Sequence, residues 1–393
     1  MSTITGSFLE LHILQPIPFS TLNRDDTNSV KTVEWGGKTR TRVSSQSWKR
    51  AMRLHLQKEL GESALRTRRL VECVSDRLRE GYGWDPELAV KAGRHIAVAS
   101  SVGAEPPKAP KDGSAPKGEW STAAMVYVPD SAIGELAELA AKYEAELAAA
   151  KDLTEKSQRK DSVIPTADVD GILRSRNGII SLFGRMLAQV DDAKVDGAVQ
   201  VAHAFTTHET NVEIDYFSAV DDVNDAWGDN TGSAHMGHAE HSAGVLYRYI
   251  ALDLRELHSN LGGQDVADTR TLAAALVRAA LLSLPQAKKR STAPHTIPHL
   301  AHVAVRKDRP LSYAAAFEQP VAIDHFGGHA EPSVAALNAY ADAAQRLLGG
   351  KGLVHAAHAT FSKADTSSLG AAADSFDTLI EEALEAALSE ASA

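Results

Sequence analysis

LNRDD at residues 22–26 and GGKTRTRVSSQSWKRAMR at residues 36–53 decide how this chain is read. From Thr39 to Val43 the residues alternate, which predicts an extended segment with Arg40 and Arg42 on one face. Ser44 and Ser45 then lead into a stretch where Trp48, Met52, Leu56 and Leu60 recur at helical spacing. The polar, glycine-containing segment 21–40 reads as a long loop. Its parts suit phosphate: Gly36 and Gly37 permit a backbone approach that a Cβ would block, Lys38, Arg40 and Arg42 bring charge, and Ser44, Ser45 and Gln46 offer donors at a helix start. Lys49 and Arg53 stand one turn apart beside Arg50. Like charges at that spacing repel by roughly a few tenths of a kcal/mol, so this ridge calls for an anion.

From Lys31 to Arg53 seven basic residues face Glu34 alone, in a chain whose formal net charge is −10. An acidic chain is a poor polyanion binder on average, but this asymmetry is the footprint of one face that meets a polyanion while the others stay in solvent. Length and composition, 393 residues with 44% hydrophobic and 23% charged, exclude small stapled scaffolds and disordered chains. The single cysteine, Cys73, can form neither an intrachain disulfide nor a multi-thiolate zinc site and points to a reducing compartment. No basic leader precedes the first apolar run, and no stretch of about eighteen apolar residues occurs, so a soluble cytoplasmic protein is expected.

Outward from the deciding stretch, Phe8 to Leu14 alternates and predicts a strand that Pro16 and Pro18 end. Residues 62 to about 153 are mostly helical, with a solvent-exposed helix over Glu135–Ala150. They are interrupted by a mobile loop at 103–119 that holds four prolines, three glycines and three lysines. Strands are predicted at Ile179–Phe183, Val199–Phe205 and Val245–Ile250, and a last one around Leu300–Val305. Helices are predicted at Asp265–Leu284, at about 333–348 and at 373–390. The polar, histidine-rich segment from Thr206 to Ser242 is too long for a routine connection and reads as a projecting hairpin. Without its insertions the order is strand, helix, strand, strand, helix, strand, the α+β arrangement of ferredoxin-like and RNA-recognition folds.

The two opening stretches, with GESALRT (61–67), GRM (184–186), VDGAVQVAHAFTTHE (195–209), EIDYFSAVDD (213–222), GSAHMG (232–237) and SAGVLYRYIALDL (242–254), resemble the backbone subunit of the type I-E CRISPR surveillance complex Cascade, the CasC type of the RAMP superfamily. The resemblance runs from residue 8 to about 348. It implies a modified RNA-recognition-motif palm, a helical finger insertion and a projecting thumb hairpin. The palm would comprise residues 1–61, 178–206 and 242–393 with the C-terminal helices, the finger 62–177 and the thumb 207–241. It further implies a noncatalytic protein, without cofactor or metal, that polymerises head to tail along guide CRISPR RNA and displaces nucleotides at intervals so that the rest can pair with target DNA in antiviral defence. The implied RNA-binding residues are Arg24, Lys31, Ser44, Gln46, Lys49, Arg50, Arg53 and Met186, joined by Lys38, Arg40 and Arg42 from the residue reading. The implied partners are guide RNA, target DNA in the R-loop, further copies of the chain and the other Cascade subunits: large, small, 5′-handle-binding and 3′-hairpin-binding endonuclease. A recruited helicase-nuclease follows indirectly.

Trp227 and Met236, with His235 beside them in a glycine-rich setting, are candidates for a thumb wedge against bases. His235, His238 and His241 lack the spacing of a helical zinc motif. His203, His208 and Glu209 keep open a metal-dependent ribonuclease on the same palm, and the paired acids at 25–26, 191–192 and 221–222 could hold magnesium. Asp25 and Asp26 are expected instead to form salt bridges that order the basic loop. AKKR at 287–290 follows a helix end, where cations complement the dipole, and could face RNA.

Overall fold

The computed structural model describes residues 4, 6–107, 118–219 and 235–388. The chain divides into two compact units, one made of Met1–Leu56, Val199–Ser259 and Gly263–Ala393, the other of Gln57–Ala198 and Asn260–Gly262. The expected insertion 62–177 therefore extends through Ala198 and takes the GRM motif with it.

The first unit opens with β1 (Phe8–Ser20), β2 (Thr32–Trp35), β3 (Lys38–Val43) and α1 (Ser45–Leu60), of which Gln57–Leu60 already count to the second unit. Contrary to expectation, β1 continues through Pro16 and Pro18. Leu14 accepts a hydrogen bond from His299 N, and the ladder to the strand on that side ends at Leu14↔Leu300. Residues of the same parity turn their missing N–H groups to a side where no strand remains, which is where proline is tolerated. The expected loop 21–40 also holds structure. Gly36 and Gly37, at φ 61° and 68°, make a two-residue turn that joins β2 to β3 in a hairpin, with Trp35 opposite Lys38.

The second unit holds β4 (Ala64–Thr67), α2 (Leu70–Tyr82), α3 (Pro86–Ala99), β5 (Ala104–Glu105), β6 (Ser121–Thr122), β7 (Val126–Pro129), α4 (Asp130–Lys142), α5 (Glu144–Ala149), α6 (Thr166–Leu173) and α7 (Gly178–Phe183). Two expectations fail here. The alanine-rich stretch is solvent-exposed only in its second half, where α5 buries Leu147 alone; α4 buries Ala132, Ile133, Leu136, Ala137, Leu139 and Ala140 in one core with Leu70, Val74 and Ile96, because alanine admits close helix packing as well as favouring helix. Ile179–Phe183 is a helix, begun where the Asn177 side chain accepts from Ile180 N. A short run of four apolar residues around Ser181 cannot tell a buried strand from a buried helix. Most of the proline-lysine loop, 108–117, lies outside the described residues.

The first unit resumes with β8 (Val199–Val201), β9 (Ala204–Thr206), β10 (Glu213–Ala219), β11 (His235–Asp253), α8 (Leu254–Asn260), α9 (Val266–Leu282), α10 (Lys289–Thr292), β12 (Leu300–Arg306), α11 (Ala330–Leu348), β13 (Leu353–Thr360), β14 (Ala371–Ala372) and α12 (Phe376–Ala387). The expected strand 199–205 is split at Ala202–His203, and β12 is not the last strand. The sheet order is β14-β13-β12-β1-β11-β9-β3-β2, with β8 and β10 also paired to β11. All these pairings are antiparallel except β13–β14. Leu14, Tyr247 and Leu300 pack under Val334, Leu337 and Ala341 of α11, whereas Leu246, Val43 and Ala204 pack with Trp48 of α1 on another core.

Polar groups lie inside the sheet face under α11. Glu10 and Arg306 form an ion pair of 3.0 Å at 0% and 3% side-chain exposure. Tyr249 donates to Glu10 at 2.7 Å, and Leu311 N donates to the same oxygen. His12, His302 and His358 stand in one row across β1, β12 and β13, and the His12 ring stacks on Tyr313 at 4.0 Å. This face is closed by the chain itself.

Candidate nucleic-acid interface

Helix α1 is oriented by its inner side. The Trp48 ring lies 3.7 Å beneath the Arg248 guanidinium, and Arg248, 2% exposed, is itself held by Gln15 at 2.8 Å. Burial lowers the Arg248 pKa to about 9, which leaves it charged at neutral pH and able to hold the π face. With Trp48, Ala51, Met52 and Leu56 buried, Gln46 and Arg50 are exposed and Lys49 and Arg53 half-buried on the outer ridge.

The loop before the hairpin is tied to the start of this helix. Asn23 Oδ1 accepts from Ser44 N at 2.9 Å, Lys31 N donates to Asn23 O, and Arg42 N donates to Lys31 O at 2.8 Å. These bonds gather Arg24, Lys31, Arg42, Ser44 and the first turn of α1 into one basic patch. Among the described residues Asp25 orders the loop through hydrogen bonds rather than the expected salt bridges. Its carboxylate accepts from Thr27 Oγ1 at 2.8 Å and from Thr27 N and Ser29 N at 2.9 Å, and these bonds, the Thr27 side chain foremost, hold its pKa below the usual carboxylate range. Glu240 of β11 holds the other end, accepting from Ser29 Oγ at 3.1 Å and Val30 N at 2.9 Å.

Arg40 is the departure within the stretch. It is fully buried, and its guanidinium donates to the carbonyls of Thr206, Phe317 and Glu318 at 3.0–3.2 Å. It anchors the hairpin to the fold and is not part of the exposed patch. Strand alternation did place it on the face of Arg42; what could not be read from the sequence is the row of carbonyls waiting there. Gly36 is fixed for the same reason, since a Cβ would lie 1.8 Å from the Glu318 carbonyl oxygen. Lys38 pairs with Glu209 at 2.9 Å at the hairpin's exposed end.

His203 and His208 have defined partners. Exposed His203 accepts from Ser45 N at 3.1 Å through Nδ1, next to Arg42 Nη1 at 3.2 Å, so it caps α1. Desolvation first, then Arg42 and Lys31, push its pKa down and keep this acceptor neutral. His208 donates from Nδ1 to Glu209 O at 2.8 Å and accepts at Nε2 from Val245 N at 3.1 Å. Buried against His329, with ring centroids 3.6 Å apart, it is held neutral by a pKa lowered to about 4. Among the described residues no group of three or more His, Cys, Asp or Glu could hold a metal ion.

Of the expected thumb, β10 pairs with β11 from Glu213↔His241 to Ala219↔His235 as a two-stranded ribbon. Met236 is 74% exposed. Trp227 lies outside the described residues, and so does the His235 side chain.

In the second unit the GRM motif is a pedestal. Gly184, at φ 77°, sits against the backbone of Gly197, where a Cβ would come within 2.8 Å of its N atom. Arg185 is buried and donates to four carbonyls: Ala193 and Ser175 at 2.7 Å, Arg174 at 2.8 Å and Tyr127 at 3.3 Å. Met186, the next residue, is 87% exposed. Sequence reasoning picked out Met186 and passed over Arg185, whose position directly after a glycine was the available signal. Arg185→Met strands buried carbonyls and is expected to cost about 3 kcal/mol or more of unfolding free energy. Met186→Ala is expected to stay within about 0.5 kcal/mol of the parent. Urea titration of both variants checks this.

The sequence matches the CT1975-like protein family over residues 9–382. The chain belongs to that family. None of the curated proteins matches this CT1975-like protein. Among solved structures it is similar to a chain of a CRISPR RNA-guided surveillance complex in a pre-nicking state, at TM-score 0.87 and 39% identity over 97% of this chain and 100% of the other. It is likewise similar to a chain of a second CRISPR RNA-guided surveillance complex, at TM-score 0.77, 36% identity and the same coverages.

Proposed function

We propose that this CT1975-like protein is the noncatalytic RNA-binding backbone subunit of a cytoplasmic CRISPR ribonucleoprotein of the type I-E Cascade kind. The observation that carries the reading is the patch formed by Arg24, Lys31 and Arg42 at the start of α1, on a chain that is otherwise acidic and similar throughout to chains of surveillance complexes. The four strands β12-β1-β11-β9, with α1 between β1 and β9 and α9 between β11 and β12, support a palm of the RNA-recognition kind. Its sheet face is filled by the Glu10–Arg306 network and α11, so RNA runs along the loop and α1 edge rather than across the sheet.

In this reading the guide's phosphates lie against Lys31, Arg42, Lys49, Arg50 and Arg53, with Arg24, Ser44 and Gln46 at the helix start. Charge neutralisation supplies affinity, head-to-tail copies reinforce one another, and the β10–β11 ribbon and Met186 displace nucleotides at intervals, leaving the others to pair with target DNA. The remaining Cascade subunits join the same particle. With about four to five phosphates neutralised per copy, the logarithm of the affinity falls with the logarithm of salt at a slope of about −3 to −3.5 per copy. Binding of single-stranded RNA measured over a salt series tests this, and a slope near zero refutes it.

A further inference from the structure

The β10–β11 ribbon leaves the sheet at Ser242. After a shift of register at Ile17, β11 pairs with β1 as far as Ser20↔Ser242, and from His241 outward its pairing among the described residues is with β10. The direction of the ribbon is therefore set at this joint. Hydroxyl groups tie it: Thr21 donates to the Glu240 carbonyl, and the Thr41 hydroxyl bonds those of Thr210 and Ser242. A cavity of about 20 Å³ among Asn23, Val30, Thr41 and Ser242, room for one water, interrupts the packing there. One side chain reaches from the ribbon to the basic loop. Glu240 accepts from Ser29 Oγ at 3.1 Å through one carboxylate oxygen and from Val30 N at 2.9 Å through the other. Val30 stands opposite Arg24 in an antiparallel bridge and precedes Lys31 in the chain, so these bonds fix the backbone that carries both cations. By charge alone Glu240 is misplaced. It shares a polar cleft of about 130 Å³ with Arg24 and Lys288, where a carboxylate repels any phosphate the patch attracts.

We propose that Glu240 is a positioning residue that locks the ribbon to the basic loop, so that the direction of the ribbon and the presentation of Arg24 and Lys31 are set together. A carboxylate bonded to two successive residues of another segment constrains both position and orientation, and hydrogen bonds to a charged acceptor are the stronger kind. Without the lock the ribbon swings about Ser242 and the loop fluctuates, and both must be ordered again when RNA binds, which costs affinity. The inference rests on the RNA-binding reading and adds to it an acid whose removal weakens the grip on a polyanion.

The test uses the full chain, free and with single-stranded RNA. Glu240→Ala is expected to speed hydrogen exchange at Val30 N and along β10–β11 by about tenfold or more in the free protein. It is also expected to weaken RNA binding about tenfold, although a negative charge has gone. Glu240→Gln loses the same charge but keeps a carbonyl oxygen for Val30 N and an amide that donates to Ser29 Oγ; slow exchange and RNA affinity at or above the parental value are expected to return. Where Glu240→Ala fails to fold, Ser29→Ala takes its place, since it removes one of the two bonds and no charge; it is expected to weaken RNA binding about threefold and to speed exchange at Val30 N. If the variant that reads the lock binds RNA at parental affinity or better while Lys49→Glu with Arg53→Glu abolishes binding, the lock is wrong and the RNA reading stands. If exchange quickens as expected but neither that variant nor the double one alters RNA binding, the lock between ribbon and loop holds and the RNA reading fails.

Discussion

Replacing Lys49 and Arg53 together with glutamate is expected to abolish retention of guide RNA while the monomer stays folded. Both side chains lie on the outer ridge of α1, away from the buried Trp48, Ala51, Met52 and Leu56. The change therefore leaves the apolar anchor intact and reverses the charge proposed to face the RNA. On that proposal two phosphate contacts become two repulsions, and a loss of roughly hundredfold or more in affinity is expected at physiological salt. Pull-down of RNA with the tagged chain, paired with a thermal melt, checks both halves. Intact RNA complexes from this variant contradict the assignment of α1.

The second large effect concerns acid. His302 and His208 in the first unit and His95 in the second are buried, at 1%, 6% and 1% exposure, and burial lowers each pKa to about 4. His12, in the same row as His302, is driven well below the ordinary histidine value by burial, with His302 and Arg306 adding to it. The unfolded chain takes up these protons near pH 6.5, and the folded chain refuses them until about pH 4. Stability is therefore level above pH 6.5 and falls as pH drops toward 4. Each of the three with a pKa near 4 costs its unit about 2–3 kcal/mol at pH 4.5 relative to pH 7, a large fraction of the net stability of an ordinary domain. Glu10, whose pKa burial raises, works in the opposite sense and offsets part of this loss. Urea midpoints at pH 7 and 4.5 are expected to fall steeply; a flat profile contradicts the account of these buried histidines.

Sequence legibility differed by kind of feature. Apolar spacing marked α1, α9 and the outward ridge of Lys49, Arg50 and Arg53, because a helix that buries Trp48, Met52 and Leu56 has no other face for them. Local rules failed where tertiary surroundings decided. Pro16 and Pro18 belong to β1 because the neighbour on their N–H side has ended, which no window around them can show. The strand β13, LVHAAHAT, is masked by alanines and by histidines that match the row of His12 and His302. The alternation of Arg40 and Arg42 was legible, but the carbonyls of Thr206, Phe317 and Glu318 that bury Arg40 come from distant segments. For the same reason Met186 could be singled out, whereas the four carbonyls that hold Arg185 could not.

One experiment bears most directly on the claim that repeating copies of this chain grip a guide by its sugar-phosphate backbone. The tagged protein is purified from cells that express its CRISPR array, and the RNA that travels with it is digested with nuclease and sized. The account predicts a small RNA of uniform length, protected in regular increments that correspond to one copy each. Protein that emerges free of RNA, or with fragments of random length and no periodic protection, contradicts it.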